Sequence, residues 1–193
     1  MEGTPLEDID KERDIGVIIS SNLKPAAQCS EAARRASAVL TQISKAFLYQ
    51  DRKVFLQLYK QFVLCHLEFG VTAWSPWAFG DVDLMERVQK REVNLISGLT
   101  GKTYEDKLQE IGLSSRTERR LKYDLVQTYK ALNGIDNVDS SIWFKLVGQT
   151  THIPTRNTAY ARNLLSSTAP SDIRKNFFSM RVVPLWNALP ELK

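Results

Sequence analysis

Histidine and cysteine are scarce in these 193 residues, with two of each. With only His66 and His152, and no Cys/His cluster, the sequence argues against a structural zinc site. It has no GxGxxG and no phosphate-cradling P-loop, so the common nucleotide-binding fingerprints are missing. It has no G-x-S-x-G elbow. His66 reads as a packed helical residue, not a general base, because Glu68 falls on a different face and does not orient it. The acids Asp8, Asp10, Glu12 and Asp14 read as a solvated terminus, since no spacing converges them on a metal. No apolar run approaches the roughly 20 residues of a membrane span, so no membrane partner is expected. The acidic N-terminus lacks the apolar centre of a secretory signal. An intracellular protein, cytoplasmic or nuclear, is therefore expected, with Cys29 and Cys65 as reduced core residues. No catalytic constellation is visible and no cofactor is expected.

What is present is an ordinary globular composition, 43% hydrophobic and 25% charged. Net charge is +4, unevenly spread. Residues 1–23 hold six acids against two bases, residues 24–80 seven bases against three acids, and residues 145–193 seven bases against two acids. A basic body suits a polyanionic partner.

The chain is organised around Asp51–Trp77, DRKVFLQLYKQFVLCHLEFGVTAWSPW. Phe55, Leu58, Phe62, Cys65 and Phe69 recur at helical spacing, beside a second row of Leu56, Tyr59, Val63 and Leu67. Apolar cover on most of the circumference predicts a central helix, with Phe62 at the middle of the core. Asp51 would cap its start and Pro76 stop it, while Trp74, Trp77 and Phe79 crowd the far end to anchor a core.

Before it, Asp14–Ser20 reads as a short strand. Its partner must be Leu6–Ile9 or lie outside the chain, a first sign that the sequence is a fragment. A helix over about Gln28–Tyr49 carries Cys29, Ala33, Ala36, Leu40, Ile43 and Phe47, with Arg34, Arg35 and Lys45 on other faces. After the central helix come a third over about Asp81–Ile96, a short one over Thr103–Ile111 and a longer one from Ser114 or Ser115 to Leu132. The longer helix is expected to turn Leu121, Leu125, Tyr129 and Leu132 inward, and Arg116, Arg119, Arg120 and Lys122 outward. Ile142–Val147 suggests one or two helical turns, residues 148–170 a loop or weak hairpin, and the aromatic tail from Asp172 a further packed segment.

Five segments together resemble the C-terminal part of a reverse transcriptase from a jockey-like non-LTR retrotransposon. ERDIGVIISSNLK (Glu12–Lys24) is similar to the family's strand after the catalytic palm motifs. FLQLYKQFVLCHLEFGVTAWSPW (Phe55–Trp77) resembles its thumb helix, and LMERVQKREVNLISGLTGKTYEDKLQEIGLSS (Leu84–Ser115) the helices that follow. RRLKYDLVQTYKALNG (Arg119–Gly134) and IRKNFFSMRVVPLWNALP (Ile173–Pro190) resemble two later segments. The order and spacings carry the likeness more than any one piece. The chain departs from the pattern at Ser115–Arg120, where the family has Leu-Glu-Tyr-Arg-Arg, and it has no Tyr-Ala-Asp-Asp motif. Polymerisation needs those carboxylates to hold two metal ions, so no activity is expected of this chain alone.

The resemblance implies a mainly α fold: a helical thumb bundle with a short N-terminal strand or hairpin and an irregular helical C-terminal subdomain. Its expected parts are a palm-edge remnant (1–23), the thumb (24–101), post-thumb helices (102–147) and a loop with an aromatic-rich end (148–193). It implies a truncated fragment lacking the palm, with weak, sequence-independent binding of an RNA or DNA duplex. The expected phosphate contacts are Arg34, Arg35 and Lys45, then Arg119, Arg120, Arg174, Lys175 and Arg181. Asp14, Ile15 and Gly16 resemble the family's primer-side strand. Two other readings are a small helical module that binds protein through the surface left by the missing palm, and a relic without function.

Overall fold

A computed structural model describes residues 8–46, 52–96, 98–150 and 162–190, with 149 and 150 described by backbone alone. The protein is mainly α-helical, with a two-stranded antiparallel hairpin near its N-terminus. It divides into two compact units, Met1–Thr117 and Glu118–Lys193.

The strand expected over Asp14–Ser20 is instead a hairpin of β1 (Lys11–Asp14) and β2 (Val17–Ser20), in register from Lys11↔Ser20 to Asp14↔Val17. The partner of β2 is thus the run KERD, whose exposed, wholly polar residues show no strand pattern. Ile15 and Gly16 form the turn with φ of 45° and 85°. Positive φ at both central residues is what a tight two-residue hairpin needs. Ile9, the other expected strand residue within the described range, lies outside both strands.

The first unit is built on α1 (Ala26–Ala46), which buries Cys29, Ala32, Ala33, Ala36, Leu40 and Ile43. Its short side chains let neighbours approach closely. Phe47 and Asp51 lie outside the described residues.

The central helix is not continuous. It runs as α2 (Arg52–Leu58), a π turn (Tyr59–Val63) and α3 (Leu64–Glu68), then breaks at Gly70 before α4 (Val71–Trp74). The Leu64 N–H bonds the Tyr59 carbonyl, five residues back. This insertion decides which row is buried. Phe55, Tyr59, Val63 and Leu67 are four apart, and each such step overshoots a 3.6-residue turn by about 40°. Three steps would drift about 120°, and the extra residue of the π turn returns about 100° of it. All four residues are consequently buried. The other row turns outward: Phe62 is 51% exposed, and Cys65 and Phe69 are exposed too. Phe62 is therefore not a core residue, and Cys65 is not a buried thiol. At the far end Trp74 is buried and its Nε1 donates to the Phe69 carbonyl at 2.8 Å, but Phe79 is 87% exposed.

The remaining walls of this core are α5 (Phe79–Leu95) and α6 (Tyr104–Ile111). Thr103 Oγ1 accepts the Asp106 N–H at 3.2 Å and caps α6, as its sequence suggests. Gly112, at φ 64°, ends α6 with bonds from Gly112 N–H to the Gln109 carbonyl and from Leu113 N–H to the Leu108 carbonyl. This is the Schellman pattern, which needs a left-handed residue where glycine stands. Leu108, Ile111 and Leu113 join the same core, within the first unit.

The helix α7 (Arg116–Leu132) differs most from expectation. Arg116, expected outward, is fully buried. It bonds Glu68 Oε1 at 2.6 Å and the Leu67 carbonyl at 2.9 Å. Further along, the buried positions are Arg120, Asp124, Thr128 and Ala131, whereas Leu121 and Tyr129, expected inward, are exposed. A polar side chain can hold a buried position when it is hydrogen-bonded, and here a distant partner makes that possible. The partner is Arg181, which grips Asp124 with two bonds of 2.8 Å.

The second unit's core is small. Phe144, Leu164, Phe178, Val182 and Val183 are buried, with Leu125, Leu132, Leu146 and Trp186 packed against them. A 3₁₀ turn (Ser140–Ile142), α8 (Val147–Thr150), α9 (Asp172–Lys175) and α10 (Phe178–Asn187) frame it, and Leu146 pairs with Leu164 in one antiparallel bridge. Of the tail residues expected to pack, Phe177 and Leu189 are exposed.

Candidate nucleic-acid interface

The buried face of α1 fixes where its bases point. Arg34 and Lys45 are exposed on the side away from Ala33, Ala36, Leu40 and Ile43. Eleven residues separate them, about 16 Å along the axis and about 20° around it, so they share a face. Between them Thr41 Oγ1 accepts a bond from Arg91 Nη2 at 3.3 Å. Arg91 lies on α5 and is exposed. It brings a third cation to the α1 face from 50 residues away in sequence, and spacing within α1 could not reveal it.

Glu31 modifies this picture. Its carboxylate accepts from Arg34 Nε at 2.8 Å, Arg34 Nη2 at 3.1 Å and Arg35 Nε at 2.7 Å. Arg13 Nη2 from β1 stands 3.5 Å away. The hydrogen bonds from Arg34, then those from Arg35, pull the Glu31 carboxyl down to about 2. Arg35 is therefore engaged sideways along the helix, and Arg34 is shared between Glu31 and solvent. Three guanidinium groups against one carboxylate still leave two positive charges. The Glu31–Arg34 and Glu31–Arg35 spacings of three and four residues were readable as helix-surface pairs. The contact from Arg13 was not.

The second unit treats its bases differently. The Arg181 guanidinium bonds Asp124 twice and the Asn176 carbonyl at 3.0 Å, which ties α7 to the segment before α10. Arg120 is buried. Arg119 Nη2 bonds Tyr123 Oη at 3.2 Å. Arg174 lies 5.3 Å from the Phe177 ring centre and, like Lys175, is exposed on α9. Of the five expected phosphate contacts in this unit, Arg120 is buried and Arg181 is bonded to Asp124 and Asn176, whereas Arg174 and Lys175 are exposed.

At the hairpin, Asp14 closes β1, and Ile15 and Gly16 are the turn itself. Ile15 is 86% exposed. Gly16 has a φ of 85° that favours glycine, and a Cβ there would stand a tight 3.1 Å from the Phe69 ring. Among the described residues no three of His, Cys, Asp and Glu converge as a metal site, and no helix is long and apolar enough to cross a membrane. Comparison with protein-family models, with curated proteins and with solved structures gives no match to this chain.

Proposed function

We propose that these residues form the thumb and post-thumb part of a jockey-like retrotransposon reverse transcriptase. In this reading the α1 face holds an RNA or DNA duplex by its phosphates, weakly and without reading sequence. The observation that carries it is the exposed face of Arg34 and Lys45, joined at Thr41 by Arg91. Its span of about 16 Å covers several phosphates of one strand at the 3.4 Å rise of a duplex. The order of the five sequence segments supports the family. The chain contributes grip and not chemistry, since it has no aspartate pair for the metal ions. The same reading places the protein inside the cell.

Three phosphate contacts give a log–log salt slope of about −2.7 on B-DNA. Fluorescence anisotropy of a labelled duplex across a salt series measures it. Replacing Arg34, Lys45 and Arg91 with Ala should flatten the slope nearly to zero while circular dichroism stays unchanged. A folded triple variant with the original slope would remove this face from the interface.

A second reading, a helical module that binds another protein, is favoured by the outward row of Phe62, Cys65 and Phe69 and by the bare tip at Ile15. It takes first place if the wild-type protein shows no salt-dependent binding at all.

A further inference from the structure

The hairpin, α1 and α3 enclose an open cavity of about 330 Å³ in the first unit, lined by Arg13, Gln28, Arg35, His66 and Phe69 among others. That volume is at the low end for small-molecule sites. Gln28 is the informative residue. It is 5% exposed, and its Oε1 accepts the Ile18 N–H at 2.8 Å. That bond fixes which end of the amide is which. Nε2 is left with no acceptor among the described residues, although the side chain lines the cavity. That N–H₂ end borders the open cavity and can donate to a group bound there.

The charges call for the same kind of group. Of the charged residues that line it, Arg13 and Arg35 stand against the single carboxylate of Glu31, which leaves one positive charge there. Planar guanidinium groups recognise phosphate oxygens with paired hydrogen bonds. Opposite them the half-exposed Phe69 ring offers a flat apolar wall, held by its approach to Gly16. Every nucleobase has a π face able to stack on such a ring.

We propose that this cavity binds a nucleoside monophosphate. The phosphate lies between Arg13, Arg35 and the free end of the Gln28 amide, and the base lies against Phe69. The same chemistry could be supplied by a free mononucleotide or by the 5′-phosphorylated end of a strand. None of this rests on the α1 duplex face, because Arg34, Lys45 and Arg91 do not line the cavity.

Isothermal titration of the whole chain with adenosine monophosphate, adenosine and inorganic phosphate tests it. Adenosine monophosphate should bind at least about tenfold more tightly than either of the others, the ratio expected for losing one charged anchor or one stacked ring. Arg35→Ala changes an exposed helix position and should weaken binding about tenfold or more. Gln28→Glu keeps an acceptor for the Ile18 N–H but removes the Nε2 donor, and it should do the same, with folding checked by circular dichroism. A 5′-phosphorylated dinucleotide that binds as well as the monophosphate supports the site and assigns it to strand ends. A much weaker dinucleotide supports the site and assigns it to free nucleotide. Equal binding of adenosine and its monophosphate, no binding at millimolar ligand, or two folded variants that bind as wild type would each overturn the proposal.

Discussion

Glu92 is fully buried in α5, and neither carboxyl oxygen has a hydrogen-bond partner among the described residues. Burial pushes its carboxyl up to about 8, with nearby Lys60 opposing part of the rise. In the unfolded chain the same group titrates near 4.5. The folded state thus holds a proton between these values that the unfolded state has lost. Stability must fall as pH rises through that window, and below about 4.5 the group contributes no penalty. At 1.36 kcal/mol per pKa unit, the separation of about 3.5 units corresponds to roughly 5 kcal/mol once Glu92 is ionised in both states. Between pH 5 and pH 8 the loss is about 3–4 kcal/mol. Glu92→Gln removes the titration. Urea unfolding of both proteins, followed by far-ultraviolet circular dichroism at pH 5 and pH 8, measures the effect. A constant offset between wild type and variant would report only the amide's own packing. The informative quantity is the change in that offset with pH, and the variant should gain about 3 kcal/mol relative to wild type on going to pH 8. If the offset is the same at both pH values, Glu92 is hydrated or paired and the buried-acid account is wrong.

Two further outcomes follow from the same packing. Arg116→Met removes the buried guanidinium that bonds Glu68 and the Leu67 carbonyl and should cost about 3–5 kcal/mol, read by urea unfolding. An unchanged unfolding midpoint would show that these bonds do not hold the first unit together. Ile15→Asn places a residue tolerant of positive φ at the hairpin turn and should stabilise the first unit by about 1 kcal/mol, measured by thermal melting. A melting point that falls would mean that Ile15 makes a contact its exposure does not suggest.

Local signals were the legible ones. Thr103, Gly112 and the alanine face of α1 act within a turn or two of themselves, and the sequence pattern placed them where they stand. What failed depended on events that spacing does not encode. A period-3.6 reading of Phe55–Phe69 assumes an unbroken α-helix, and the π turn shifts the phase so that Tyr59 and Val63 go in and Phe62 stays out. Binary patterning of α7 assumes that the apolar row is the buried row. Asp124 overturns it because Arg181 arrives from 57 residues away to neutralise it. Part of the candidate interface was visible in the same limited way: Arg34 and Lys45 share a face by simple helical geometry. Arg91, Arg13 and Gln28 reach their places only through the tertiary fold.

The π turn at Tyr59–Val63 also fixes how this segment can change length. Removing one residue there would let the helix run as plain α but would rotate everything beyond it by about 100°. Leu67 would swing away from the core, and Arg116 would lose the Glu68 carboxylate and the Leu67 carbonyl that now hold it. One surplus residue thus acts as a phase setting for all that follows. A chain that lacked this residue could be aligned to it helix to helix only with a single-residue gap inside what looks, letter by letter, like one uninterrupted helix.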